Sequence, residues 1–295
     1  MSTSMYAGTT TAGRPEFERV PVDASGIGAV EQPLTLWERL SNNTAVRRIA
    51  LLVVLAVIWE VYARFLSNPL LFPSFSDTLQ TFWRDLMRGT LISRTFTSLQ
   101  VLVLGYGAGL LLAATFTTLA VSTRIGTDLL STLTAMFNPL PAIAILPLAL
   151  IWFGLGMPSL IFVIIHSVLW AVALNTYTGF RSVPETLRMS GRNYGLGGIR
   201  YVMLILIPAA FPSILAGLKI GWAFAWRTLI AAELVFGVSS RSGGLGWYIF
   251  EARAELRTSQ VFAGLLAVIL IGLFVESVIF RAIERRTVQR WGMER

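Results

Sequence analysis

Met189-Ser-Gly-Arg-Asn-Tyr-Gly195 is followed ten residues after its last glycine by Ile205, and three residues later by Pro208. The stretch is polar, carries an arginine, and lies between two very hydrophobic segments. A loop of this kind reads as a docking site at the edge of a membrane protein. The length of the apolar runs around it decides the fold class.

The chain has 295 residues, of which 55% are hydrophobic and 14% charged, with a mean hydropathy of +0.67. A bilayer core needs about 20 mainly apolar residues per helix. Runs of that length, almost free of charge, are expected as six spans at about 47–66, 97–121, 128–153, 158–180, 203–236 and 260–281. The fold class is therefore all-α, a polytopic membrane bundle of about six transmembrane helices. The third span carries Asn138, Pro139, Pro141 and Pro147, and the fifth begins with Pro208 and Pro212. Proline in a membrane helix frees carbonyls that neighbours or cavity water must satisfy, so both are candidate pathway helices.

Several function classes fall away. There is no cysteine, and His166 is the only histidine, which excludes thiolate chemistry and a histidine-based metal cluster. The only lysine, Lys219, follows Leu218, so no P-loop of the form GxxxxGK[ST] exists and the chain does not bind ATP by that route. A net charge of +8 would suggest nucleic acid in a soluble protein. Here the arginines border apolar runs and mark topology instead. With the N-terminus inside, fifteen arginines, Arg181, Arg188, Arg192 and Arg200 among them, fall on the inner side against seven on the outer. That puts both termini and the 184–200 loop in the cytoplasm.

The expected domains are a cytoplasmic tail at 1–46, a membrane domain at 47–286 and a cytoplasmic tail at 287–295. Within the first tail, Pro33 to Leu40 reads equally as a short amphipathic surface helix or an ordinary turn. Residues 76–94 are expected as an external loop with a short helix. Residues 239–259 are expected as a second external loop, with the 242–246 run a flexible turn.

The spacing of the opening stretch resembles the signature of permease subunits of binding-protein-dependent ABC importers: EAA, three residues, G, nine residues, I, one residue, LP. Gly195, Ile205 and Pro208 fall in register, Ile207 stands for the leucine, and Met189, Ser190 and Gly191 occupy the Glu-Ala-Ala slots. Segments at 138–147, 151–156, 207–217 and 243–247, with Arg253 and 262–264 beyond, resemble the nitrate, taurine and aliphatic-sulfonate class in order and spacing. The likeness covers roughly residues 95–286. It implies a type I ABC importer permease fold in the plasma (inner) membrane of a prokaryote, surrounded by lipid, working as a homodimer. It also implies two cytoplasmic ATP-binding cassette subunits that bind ATP-Mg, and an external or periplasmic solute-binding protein. No catalytic residue, metal or cofactor is expected in this chain.

In such families the cytoplasmic loop forms a coupling helix seated in the ATPase. A helix here would put Glu185, Arg188, Met189 and Arg192 on one face. With Gly195, Ile205 and Pro208 these are the candidate coupling residues, set against a plain solvated loop. Inside the membrane, an ionisable side chain costs about 3 kcal/mol on insertion scales and so faces a cavity or a partner. Arg227 is the leading case. An unpaired guanidinium would bind an oxyanion in two-pronged fashion, whereas the alternative is an ion pair with Glu276 or Glu60. Glu233, Asn138 and His166 complete the candidate pathway set, His166 reading more readily as a packing residue than as a proton carrier. Glu60 and Arg64 are expected to form a local pair, and Gly105 and Gly109 to mark a close helix contact. The competing reading is a secondary transporter driven by an ion gradient, which wants deep acidic relays and inverted repeats. An intramembrane enzyme would want paired catalytic groups that the chain lacks.

Overall fold

The protein was described from a computed structural model covering residues 42–236 and 243–290. The segments 1–41, 237–242 and 291–295, and with them the helix expected at Pro33 to Leu40, lie outside the described residues. Among the described residues every regular element is helical. In chain order these are α1 (Thr44–Leu66), α2 (Phe75–Met87), α3 (Thr90–Ser122), α4 (Arg124–Phe137), α5 (Leu146–Phe153), α6 (Met157–Ser182) and α7 (Glu185–Asn193). α8 (Ile207–Phe236) continues the helical turns that begin at Gly198. α9 (Leu245–Ala254) is short, and α10 (Thr258–Phe274) runs on through wider turns to Gln289.

The chain divides within α1, between Leu55 and Ala56, into two units. The described part of the first is the start of α1, whose apolar residues Ile49 and Leu51 to Leu55 are exposed. The second holds everything from Ala56 onward. Its local signals are legible: Ser74 caps α2 by accepting from the Asp77 amide at 3.0 Å, and Thr123 caps α4 by accepting from the Gly126 amide at 2.9 Å. Glu60 and Arg64 form the expected local pair at 2.7 Å, and Glu60 also accepts from the Ser76 amide.

Five helices are long and apolar enough to cross a membrane: α1, α3, α6, Val202–Val235 and Thr258–Gln289. The expected proline-bearing span at 128–153 is two helices meeting at 88°. Pro139 and Pro141 donate no amide hydrogen, so α4 ends at Phe137 and a tight turn at Ala142–Ile145 starts the helix again with Pro147 at its head. The last span also outruns its expected end at 281. Beyond it, Lys219 on α8 meets Glu284 at 2.8 Å.

α6 is the centre of the second unit, with α3 on one side and α8 on the other, and its Val163, Ile164 and Val168 fully buried. Hydrocarbon does not push apolar helices together, so such contacts rely on close van der Waals fit. Gly105 and Gly109 of α3 lie against Ile164 and Val168, as the spacing predicts. Gly217 and Gly221 of α8 repeat the device against Asn175 and Val172. A Cβ at Gly109 would stand 2.8 Å from that of Val168, whereas one at Gly107 would have nothing within 4 Å. Gly109→Leu is accordingly expected to destabilise the bundle by about 1–3 kcal/mol. Gly107→Leu should leave the melting midpoint in detergent close to wild type, and equal midpoints for the two variants would refute this packing.

Candidate functional site

α7 projects from one end of the bundle. Pro184 precedes it, Glu185 stands in its first turn and Arg192 in its last, each complementing the helix dipole. The helix stops at Gly195, whose φ of +70° is left-handed. There the Leu196 amide donates to the Gly191 carbonyl at 3.1 Å and the Gly195 amide to that of Arg192 at 2.9 Å. This paired closure is why a glycine belongs at that slot. Gly191 is buried against Ile205 and the Tyr201 ring, so the Ile205 of the spacing pattern forms the seat of α7. Pro208 lies at the second position of α8, where its missing amide hydrogen falls in the widened entry turn.

Of the four residues expected on one face, Arg188 lies 3.8 Å from Glu185 and is the least exposed. Arg188 turns back, donating through Nε to Val183 O at 3.2 Å and through a terminal nitrogen to Phe180 O at 2.6 Å. The last carbonyls of α6 have no partner within their helix, and a guanidinium is well suited to capping them. Glu185, Met189 and Arg192 remain exposed, together with Leu187 and Tyr194.

A cavity of about 360 Å³ opens between the α4–α5 break, α6 and α8. Asn138, His166 and Arg227, three of the four expected pathway residues, line it. Arg227 donates to its own helix at Ala223 O, 3.1 Å away, and lies 5.1 Å from the Phe224 ring centroid. It makes no ion pair among the described residues; Glu60, one of the partners considered for it, is held by Arg64 and Ser76. The cavity wall adds Phe137, Ser167, Trp170, Phe224 and Thr228, which the sequence reading passed over. The available signal was helical spacing, since Trp170 is one turn from His166 and Thr228 adjoins Arg227. A larger groove of about 750 Å³ between α3, α8 and α10, lined by Val103, Trp222, Phe274 and Phe280, carries no charged group.

Glu233 does not line the cavity. It is fully buried at the opposite end of the bundle from α7, where α9 closes over it. The Gly246 amide donates to one carboxylate oxygen at 2.8 Å, and Ser98 Oγ lies 2.9 Å from both oxygens while accepting from the Leu245 amide at 2.8 Å. A buried carboxylate is thus satisfied by a helix N-terminus and a hydroxyl. The expected external loop at 239–259 therefore contains a packed helix, and Gly244 to Gly246 form its start rather than a flexible turn. A Cβ at Gly244 would come within 2.2 Å of Glu233 Oε1 and Ser98 Oγ, which explains the glycine there. Arg94 reinforces the closure through Gly243 O at 2.9 Å and Glu251 at 3.3 Å. Asp85 accepts from the Tyr248 hydroxyl at 2.6 Å and from Gln260 at 2.9 Å. Burial first, and then that carboxylate, push the Tyr248 phenol above its ordinary range.

Long apolar helices with one broken pair, and a polar helix at one end, are the features of a polytopic membrane bundle. Residues 105–289 match the family described as binding-protein-dependent transport system inner membrane component, and the chain belongs to that family. It is 31% identical over 242 residues to a putative ABC transporter permease of Methanocaldococcus jannaschii, covering 81% of this chain and 90% of the relative. Identity is likewise 31% over 257 residues to the taurine transport system permease of Escherichia coli K12, covering 84% and 90%. It is 29% over 222 residues to that organism's putative aliphatic sulfonates transport permease, covering 75% and 82%.

Ser98→Ala would withdraw the hydroxyl from Glu233 and from the Leu245 amide together. The expected loss is about 1–3 kcal/mol of stability. Faster proteolysis between α8 and α9 would register it, and an unchanged digestion pattern would remove the closure role.

Proposed function

We propose that this permease forms the pathway for a small oxyanion, of the sulfonate, taurine or nitrate kind, and that Arg227 in the α6–α8 cavity receives it. The carrying observation is a guanidinium in a cavity with no acid paired to it among the described residues. Placing a charge among aromatic and aliphatic side chains is unfavourable unless something of opposite charge comes to it. The names of the taurine and aliphatic-sulfonate relatives agree with an anion. A homodimer would carry two such cavities. Family membership favours this reading over the ion-gradient transporter.

In this proposal two ATP-binding cassette subunits hold ATP-Mg and seat on α7 from the cytoplasm, through Glu185, Met189 and Arg192. Gly195 ends the helix at the right place, and Arg188 and Ile205 tie it to α6 and α8. An external solute-binding protein delivers the cargo, and both termini of the permease lie inside a prokaryotic inner membrane, with lipid against the apolar faces. Domain movement driven by the partners opens the cavity to alternate sides.

Co-expression with candidate ATPase and binding-protein partners tests the assignment. The expected outcome is a stable complex whose ATP hydrolysis rises with one loaded solute. Arg227→Leu should lower uptake at least about tenfold, since a charge-assisted hydrogen bond contributes roughly 1.5–3 kcal/mol. Undiminished uptake with unchanged anion preference would remove Arg227 from the pathway. Gly195→Val forces a branched side chain into a left-handed backbone, at a cost of about 1–2 kcal/mol. It should weaken ATPase assembly while the permease still inserts, and full assembly with full uptake would refute the docking role of the loop.

A further inference from the structure

Behind the cavity wall lie polar atoms that no protein group satisfies. His166 Nδ1 and Nε2 and Trp170 Nε1 are shut from solvent and have no hydrogen-bond partner among the described residues. Thr134 Oγ1, one turn back from Phe137 on α4, is in the same condition. Buried polar groups are nearly always paired, so several orphans around one cavity call for a physical reason. Phe137 is the ring that meets both, while Phe116 meets Trp170 edge-on at 6.1 Å and the His166 and Trp170 rings lie 6.2 Å apart. Phe137 stacks on Trp170 with centroids 5.4 Å apart and planes at 13°, and it meets His166 nearly edge-on at 6.1 Å. Phe137 is also the last residue of α4, where the chain turns 88° through Asn138, Pro139, Leu140 and Pro141. Two prolines in that turn lack the N–H donors whose hydrogen bonds would otherwise help hold the elbow in one position.

We propose that Phe137 is a movable cover. When the elbow tilts away from α6, the ring N–H groups of His166 and Trp170 open into the cavity and join Arg227 as donors to one oxyanion. Phe137, His166, Trp170 and Arg227 all line the same cavity, so the movement required is local. Tryptophan Nε1 only donates, and a neutral imidazole always keeps one donor, which suits both to anionic oxygen. An oxyanion stripped of water needs more donors than one guanidinium fork supplies, and the covered pair makes up the difference. The full donor set thus exists only with the elbow open, which gates binding by the position of α4. This inference rests on the pathway reading of Arg227.

His166 is the only histidine in the chain, so its carbethoxylation by diethyl pyrocarbonate, reversed by hydroxylamine, reports its accessibility without interference from other histidines. The full-length protein in lipid nanodiscs is treated with and without millimolar ethanesulfonate, sodium chloride serving as the control salt. Phe137→Ala should raise the modification rate on the order of tenfold by shifting the elbow population, with Phe137→Leu falling between. Ethanesulfonate should slow the reaction in the wild type as well as in the variant, so the wild type decides the matter if the variant fails to fold. A rate blind to Phe137, or blind to ethanesulfonate, overturns the cover. If uptake still depends on Arg227 in that case, the pathway reading survives alone. Uptake indifferent to Arg227→Leu sinks both.

Discussion

In hydrocarbon, helices are held side by side by how closely their backbones approach, and among the described residues two pairs of glycines make such approaches to α6. Gly105 and Gly109 bring α3 onto one flank, and Gly217 and Gly221 bring α8 onto the other. The same helix carries His166, Ser167 and Trp170 at the cavity and, at its far end, the Phe180 and Val183 carbonyls held by Arg188. α6 is unbroken between these points, a distance of roughly 20 Å at the usual helical rise. The wall of the cavity and the anchor of α7 therefore belong to one rod.

α8 shows how one helix accommodates two ionisable residues in different ways. Arg227 and Glu233 are six positions apart, which places them on different faces. Glu233 meets the start of α9 and the Ser98 hydroxyl and is satisfied within the chain. Among the described residues Arg227 donates to its own backbone at Ala223 and lies over the Phe224 ring. The two differ in burial as well as in neighbours, Glu233 being fully enclosed and Arg227 exposed to the cavity.

Much of this was legible in sequence because membrane helices declare themselves by length and composition. The spans, the Gly195 register, the Glu60–Arg64 pair and the small-residue contact at Gly105 and Gly109 all depend on local spacing. What escaped depends on neighbours distant in sequence. The prolines at 139 and 141 marked the third span as unusual but did not give the 88° angle between its two helices. Gly243 to Gly246 looked flexible because only the fold brings Glu233 and Ser98 to meet them, across 13 and 147 residues. Arg188 shares a helical stripe with Met189, and only the fold shows that its guanidinium also reaches the Phe180 carbonyl at the end of α6.

Met189 stands where the spacing pattern has a carboxylate, and Leu187, Met189 and Tyr194 are the large apolar groups exposed on and just after α7, beside the charged Glu185 and Arg192. Under the proposed docking, the part of the contact made by these apolar groups would weaken on cooling and resist added salt, whereas the part made by Glu185 and Arg192 would be screened.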